Sequence, residues 1–136
     1  MRRRLESADP GLVHDNARQI RGRRAELAVA DYLVAEGYSV IARNLRVGRS
    51  ELDVVAQRGG LVVVVEVRTR SGGSYEGPFQ SITRSKRARL ILAVERLWRD
   101  KLSRVPTVER VRIDAAAVVF DGAETRVEYI PGAISG

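Results

Sequence analysis

The chain lacks cysteine and has a single histidine, His14. Disulfides, thiolate catalysis and cysteine–zinc sites are therefore excluded, and a Ser–His–Asp triad or a His-rich metal site has almost nothing to be built from. Aromatic residues are scarce, at 5%. No apolar run approaches the roughly 20 residues that a membrane helix requires. The basic opening Met1-Arg2-Arg3-Arg4 is not followed by an apolar stretch. Neither a membrane span nor a secretory signal is expected, and the expected location is cytoplasmic. Lysine is nearly missing as well: only Lys86 and Lys101, against 22 arginines. What remains for chemistry is carboxylates, cationic groups and hydroxyls, a set suited to hard, oxygen-ligated cations such as magnesium.

Hydrophobic residues make up 44% and charged residues 30% of 136 positions, the balance of one globular domain. The net charge of +7 points to a polyanionic partner such as nucleic acid. A GC-rich genome accounts for most of the preference of arginine over lysine but not for the net charge. That charge is unevenly spread: residues 1–24 carry +4, 25–67 carry −2, 68–104 carry +7 and 105–136 carry −2. An acidic segment between two basic ones is the pattern of a metal-dependent nuclease, with carboxylates for cations and a basic surface for phosphate. Scattered surface charge produces it too.

Residues 1–17 mix Arg, Pro, Gly and Asp without periodicity and read as a flexible basic arm ahead of a single domain over 18–136. From Arg18 to Glu36 the pattern is helical, with Ala25, Ala28, Val29, Tyr32 and Leu33 forming one apolar stripe and Gly37 as the stop. Tyr38 to Val47 reads as a strand. Ser50 to Arg58 and Leu61 to Arg70 read as two strands of a hairpin with Gly59-Gly60 as its loop. A second helix, N-capped by Ser81 or Thr83, is expected to run to about Lys101, with Leu90, Val94, Leu97 and Trp98 as its stripe. Val111 to Phe120 and Arg126 to Ile130 read as strands joined around Asp121-Gly122. The expected fold is α/β: a mixed sheet, element order α-β-β-β-α-β-β, with both helices packed on it.

The hairpin carries the chemistry. With a two-residue loop, Arg58 faces Leu61, so Asp53 lies opposite Glu66 and Glu51 opposite Arg68. Alternation then puts Leu52, Val54, Ala56, Val63, Val65 and Val67 on one face, and Asp53, Glu66, Glu51 and Arg68 at the open end of the other. Directly opposed residues have Cβ atoms about 4.5–5.5 Å apart, and like charges placed there are destabilising. A divalent cation compensates such a pair. So do Arg68 and Glu51 as a plain ion cluster, and a one-residue slip would separate the two acids altogether.

Gly22-Arg23-Arg24-Ala25-Glu26, Gly37-Tyr38, Arg43-Asn44-Leu45-Arg46, Ser50-Glu51-Leu52-Asp53-Val54-Val55 and Val64-Val65-Glu66-Val67-Arg68-Thr69-Arg70 resemble the YraN family of bacterial nuclease-like proteins. The resemblance runs in one order from about Arg21 to about Ile134. It implies a restriction-endonuclease-like fold, with relatives among Holliday-junction resolvases. That superfamily's motif is an acid, then acid-x-lysine on the next strand, often with a glutamate on the first helix. Asp53 matches the first acid, Glu66 the second and Glu26 the helix glutamate. The resemblance implies that Asp53 and Glu66 ligate Mg²⁺ or Mn²⁺ in an endonuclease acting on DNA, with branched or damaged substrates of repair or recombination in view. Two positions depart from the pattern. Arg68 stands where the motif has lysine, and arginine cannot give up its proton. Ser50 stands where the family usually has glycine, and its hydroxyl either binds the scissile phosphate or holds the turn.

Further residues have both functional and plain readings. Glu26 flanks the first helix's stripe and faces the sheet, or pairs with Arg23 on the surface. Lys86 sits at the start of the second helix on the sheet-facing side, where it reaches the space of a motif lysine, binds phosphate or caps the helix. Arg84, Arg87, Arg89, Arg96 and Arg99 make that helix basic on several sides, as phosphate contacts or as a solvated face, and Arg70 at the end of the second hairpin strand is a further expected phosphate contact. Gln80 is an accessory group for aligning water, and Tyr75 and Phe79 in the same loop suit base stacking or loop packing. A nuclease-like protein that binds nucleic acid with weak or no cleavage is the second reading, favoured by Arg68. A protein-interaction module with a structural acidic cluster is the third. A homodimer would suit cutting of both strands.

Overall fold

A computed structural model describes residues 10–71 and 82–135. The elements are α1 (Pro10–Ala35), β1 (Ser39–Val47), β2 (Ser50–Arg58), β3 (Leu61–Ser71), α2 (Arg84–Asp100), a 3₁₀ turn (Leu102–Arg104), β4 (Arg110–Asp121) and β5 (Glu124–Ile130). The order α-β-β-β-α-β-β is the expected one. The five strands form a single mixed sheet in sequential order, with β3 and β4 parallel and the other neighbours antiparallel. The parallel pair is joined through α2, as a parallel connection requires.

The hairpin loop sets the register of the centre. Gly59 takes the left-handed φ of 58° that such a two-residue loop demands, and Arg58 faces Leu61 as expected. Val62 to Val65 are wholly buried because both faces of the sheet are covered. On one face Val55, Val62, Val64, Ile113 and Ala115 meet Leu90, Val94 and Leu97 of α2. On the other Val54, Val63, Val65, Ala116 and Val118 meet Ala25, Val29 and Leu33 of α1. Trp98 is partly buried against the α2-side core.

The first helix begins at Pro10, not at Arg18, so residues 10–17 of the expected arm are helical. Proline is favoured in the first helical turn, where its missing N–H is not needed. Residues 1–9, and the loop with Tyr75, Phe79 and Gln80, lie outside the described residues. Among the described residues no helix is long and apolar enough to cross a membrane.

One buried charge is purely architectural. Asp114 on β4 is fully buried and accepts from Arg112 Nε (2.8 Å) and a second Arg112 nitrogen (3.0 Å), the Tyr129 hydroxyl (2.5 Å) and Gly132 N (2.7 Å). Tyr129 stacks on Tyr32 of α1 with ring centroids 5.0 Å apart. The cluster ties β4, β5, the turn after β5 and α1 together. Its bond to Asp114 raises the pKa of Arg112, while burial, followed by the same carboxylate, raises that of Tyr129.

Candidate functional site

The site lies where the central hairpin comes apart. Pairing of β2 with β3 ends at Val54–Val65, so Asp53 and Glu66 are not the directly opposed ladder pair expected but lie just beyond the last one, although β1 follows β2 to Val47–Ser50 and β4 follows β3 to Ser71–Phe120. The two-residue alternation also breaks here, and β1 carries a register shift between Val40 and Ala42. Ala42 and Val55 face α2, the next pair outward places Val54 toward α1, and Leu45 and Leu52 face α2 again. The positions between, Asn44 and Asp53, absorb the extra step on both strands at once. Asn44 does so with a left-handed φ of 54°, which asparagine tolerates better than most residues. Leu52 thus lies on the α2 side and not, as expected, with Val54 and Ala56.

Asp53 occupies the fork. Its Oδ2 accepts the Val67 N–H at 2.8 Å, so a side chain replaces the ladder bond lost by the splay. Its carboxyl is pushed up to about 7, first by burial, then by Glu66, with a further push from Glu26; the Val67 amide and Lys86 act in the opposite sense. Glu66, on β3, is 4% exposed. Its Oε2 lies 3.3 Å from Arg68 and 3.6 Å from Lys86 Nζ. Two cations from different elements therefore converge on the second acid. Lys86 is placed by the cap of α2: the Thr83 hydroxyl accepts the Lys86 N–H at 3.0 Å. Thr83, not Ser81, caps this helix.

Asp53 lines two clefts, one on each side of the sheet. The α2-side cleft, about 310 Å³, also holds Ser50, Glu51, Glu66, Lys86 and Arg89. The α1-side cleft, about 370 Å³, holds Arg18, Arg21, Gly22, Glu26 and Arg68. Glu26 accepts from Asn44 Nδ2 at 3.0 Å, a bond that links the helix glutamate to the residue opposite Asp53.

Other expected residues are placed differently. Glu51 does not face Arg68, because pairing has already ended there; it is exposed, 3.8 Å from Arg46. Arg70 is held by both oxygens of Glu128 at 2.9 Å and lines a neighbouring cleft with Arg21, Thr69 and Phe120. Arg84 and Arg87 are exposed on α2, flanking Lys86. Arg89, expected among the basic groups of the second helix, lies in the α2-side cleft, whereas Arg18, Arg21 and Asn44 belong to the site and were not singled out as site residues by sequence. Helical spacing carried the signal for one of them: Arg18 precedes Gly22 by four.

Among the described residues, no three carboxylate or histidine side chains are grouped closely enough to hold a metal ion. Asp53 and Glu66 share one cleft, where Glu66 helps to raise the Asp53 carboxyl, while Glu51 edges the same cleft as an exposed side chain. An all-oxygen pair of this kind fits magnesium or manganese, whose sites commonly take one or two carboxylates.

Fold and site together define an α/β domain with a split central hairpin and a carboxylate cleft edged by cations. Residues 25–118 match the family model described as Uncharacterised protein family UPF0102, the YraN family, and the chain belongs to that family. A UPF0102 protein of Sorangium cellulosum is 51% identical over 119 residues, covering 87% of this chain and 83% of that one. A UPF0102 protein of an Arthrobacter species is 38% identical over 117 residues, covering 85% and 97%. Among solved structures, Pyrococcus furiosus SfsA in complex with Ca²⁺ is similar over 87% of this chain and 65% of that chain, with a TM-score of 0.42 and 19% identity.

Proposed function

We propose that the protein is a divalent-metal-dependent phosphodiesterase, an endonuclease acting on DNA in the cytoplasm. The carrying observation is the placement of Asp53 and Glu66 in one cleft, with burial and Glu66 raising the Asp53 carboxyl to about 7. Such a pair is costly unless a cation stands between its members. A bound Mg²⁺ or Mn²⁺ supplies a water of lowered pKa and charge neutralisation at phosphate.

The chain's own residues complete the site. Asp53 and Glu66 hold the ion. Arg68 and Lys86, both within 4 Å of Glu66, supply positive charge for the scissile phosphate as negative charge grows on it. Arg68 acts only as a charge. Glu26, anchored on Asn44, adds negative charge at Asp53 and positions the fork.

The alternative is a nucleic-acid-binding protein with little or no cleavage, and the permanent charge of Arg68 favours it. Nicking of plasmid and four-way DNA in Mn²⁺ separates the two. We expect slow cleavage by the wild type, faster cleavage by Arg68→Lys and none by Glu66→Ala. If Arg68→Lys is no faster, arginine does not limit the chemistry. If none of the three cuts any substrate, the binding protein is the better reading.

A further inference from the structure

The α1-side cleft has a feature that packing within the chain does not explain. The stripe of α1 that lies on the sheet, Ala25, Val29 and Leu33, continues at helical spacing through Gly22 and Arg18. There it leaves the sheet and becomes the wall of the cleft, opposite Asp53 and Arg68. A Cβ on Gly22 would meet no heavy atom within 4 Å. Glycine inside a helix is less stable than alanine, and no neighbour here requires the smaller residue. Its effect is to leave helix backbone bare at the cleft wall, the arrangement that admits close approach of a ligand. The surrounding charge is positive: Arg18, Arg21 and Arg68 line the same cleft. Arg68 Nε is buried with no hydrogen-bond partner among the described residues. Guanidinium groups around bare backbone suit phosphodiesters, with phosphates on the arginine forks and a sugar against the helix.

We propose that a nucleic-acid strand crosses the open end of the sheet at Asp53, with one flank in the α1 cleft and its sugar–phosphate backbone against Gly22. The other flank follows Lys86 and Arg89 in the α2 cleft. The strand thus passes from one face of the sheet to the other instead of lying along α2 alone. This inference rests on the nucleic-acid reading of the site.

The test is the binding of a fluorescein-labelled oligodeoxynucleotide, single-stranded and as duplex, over a range of salt. The proteins are the wild type, Gly22→Ala, Gly22→Leu and Arg21→Ala. We expect Gly22→Leu to bind at least about tenfold more weakly and Gly22→Ala about threefold, differences well within what a steric loss supplies. Both should keep the wild-type salt slope, because no charge is removed, and neither should have a lower thermal midpoint. Arg21→Ala should instead flatten the salt slope by about one phosphate contact. If the Gly22→Leu substitution disturbs folding, Gly22→Ala carries the test, since its methyl fills open space. Wild-type binding that neither Gly22 variant weakens overturns the inference and leaves the proposed function standing. A wild type that binds neither oligonucleotide at low salt overturns both.

Discussion

Asp114 and Asp53 are aspartates on neighbouring parts of one sheet, yet their surroundings are opposite. Asp114 has donors on both oxygens from Arg112, Tyr129 and Gly132. Asp53 has one amide donor, Val67, with Glu66 and Glu26 pushing its proton on. Asp114 joins two strands and a turn, so its charge is fully answered by the chain. Asp53 stands where two strands part, and its charge is left partly unanswered, facing open clefts on both sides. A buried acid supplied with every donor is a structural tie, whereas one crowded by other acids at a cleft marks where something from outside binds.

Removing each acid should therefore have opposite effects on stability. Asp114→Ala leaves Arg112 and Tyr129 without their partner and should cost about 3–5 kcal/mol, read from the urea midpoint. Asp53→Asn removes repulsion and should leave metal-free stability at neutral pH equal or higher. If the two substitutions destabilise alike, the contrast is wrong.

The pH dependence of stability sharpens the same contrast. The Asp53 carboxyl titrates at about 7 when folded, against 3.8 for an unperturbed group. Between these values the folded state holds a proton that the unfolded state has lost. The resulting stabilisation is full below about pH 4 and is lost as pH rises through 7, a change on the order of a few kcal/mol. Urea unfolding of metal-free protein at pH 5 and pH 8 should show that fall, and Asp53→Asn should flatten it. A wild type as stable at pH 8 as at pH 5 would contradict the burial and crowding assigned to Asp53.

The smallest expected effect concerns the cap that places Lys86. Thr83→Ala should cost about 1 kcal/mol in thermal stability. It should also weaken oligonucleotide binding by loosening the first turn of α2. Weakened stability with unchanged binding would show that the position of Lys86 does not depend on the cap.

The nearness of Asp53 and Glu66 was legible in the sequence because the Gly59-Gly60 loop sets a register that holds as far as Val54–Val65, one residue short of the two acids. Strand order and helix faces were legible for the same kind of reason: local spacing and burial agree. The fork was not. It coincides with Asn44 in a left-handed backbone and with a break in alternation that the residue types of the two strands do not announce. That break moves Leu52 across the sheet and leaves Glu51 on the surface, paired with Arg46. The Asp114 cluster was also hidden, because an acid in a strand looks like any outward-facing polar residue until a helix covers it. The start of α1 at Pro10 was hidden by a segment without apolar periodicity.

The most direct test of the central claim, that Asp53 and Glu66 form a divalent-cation site, is calorimetric titration of Mn²⁺ into wild type and Asp53→Asn at pH 8. Wild-type binding is expected to weaken as pH is lowered through 7, when a proton competes for Asp53, and Asp53→Asn is expected to bind at no pH. Equal binding by the two proteins would contradict it.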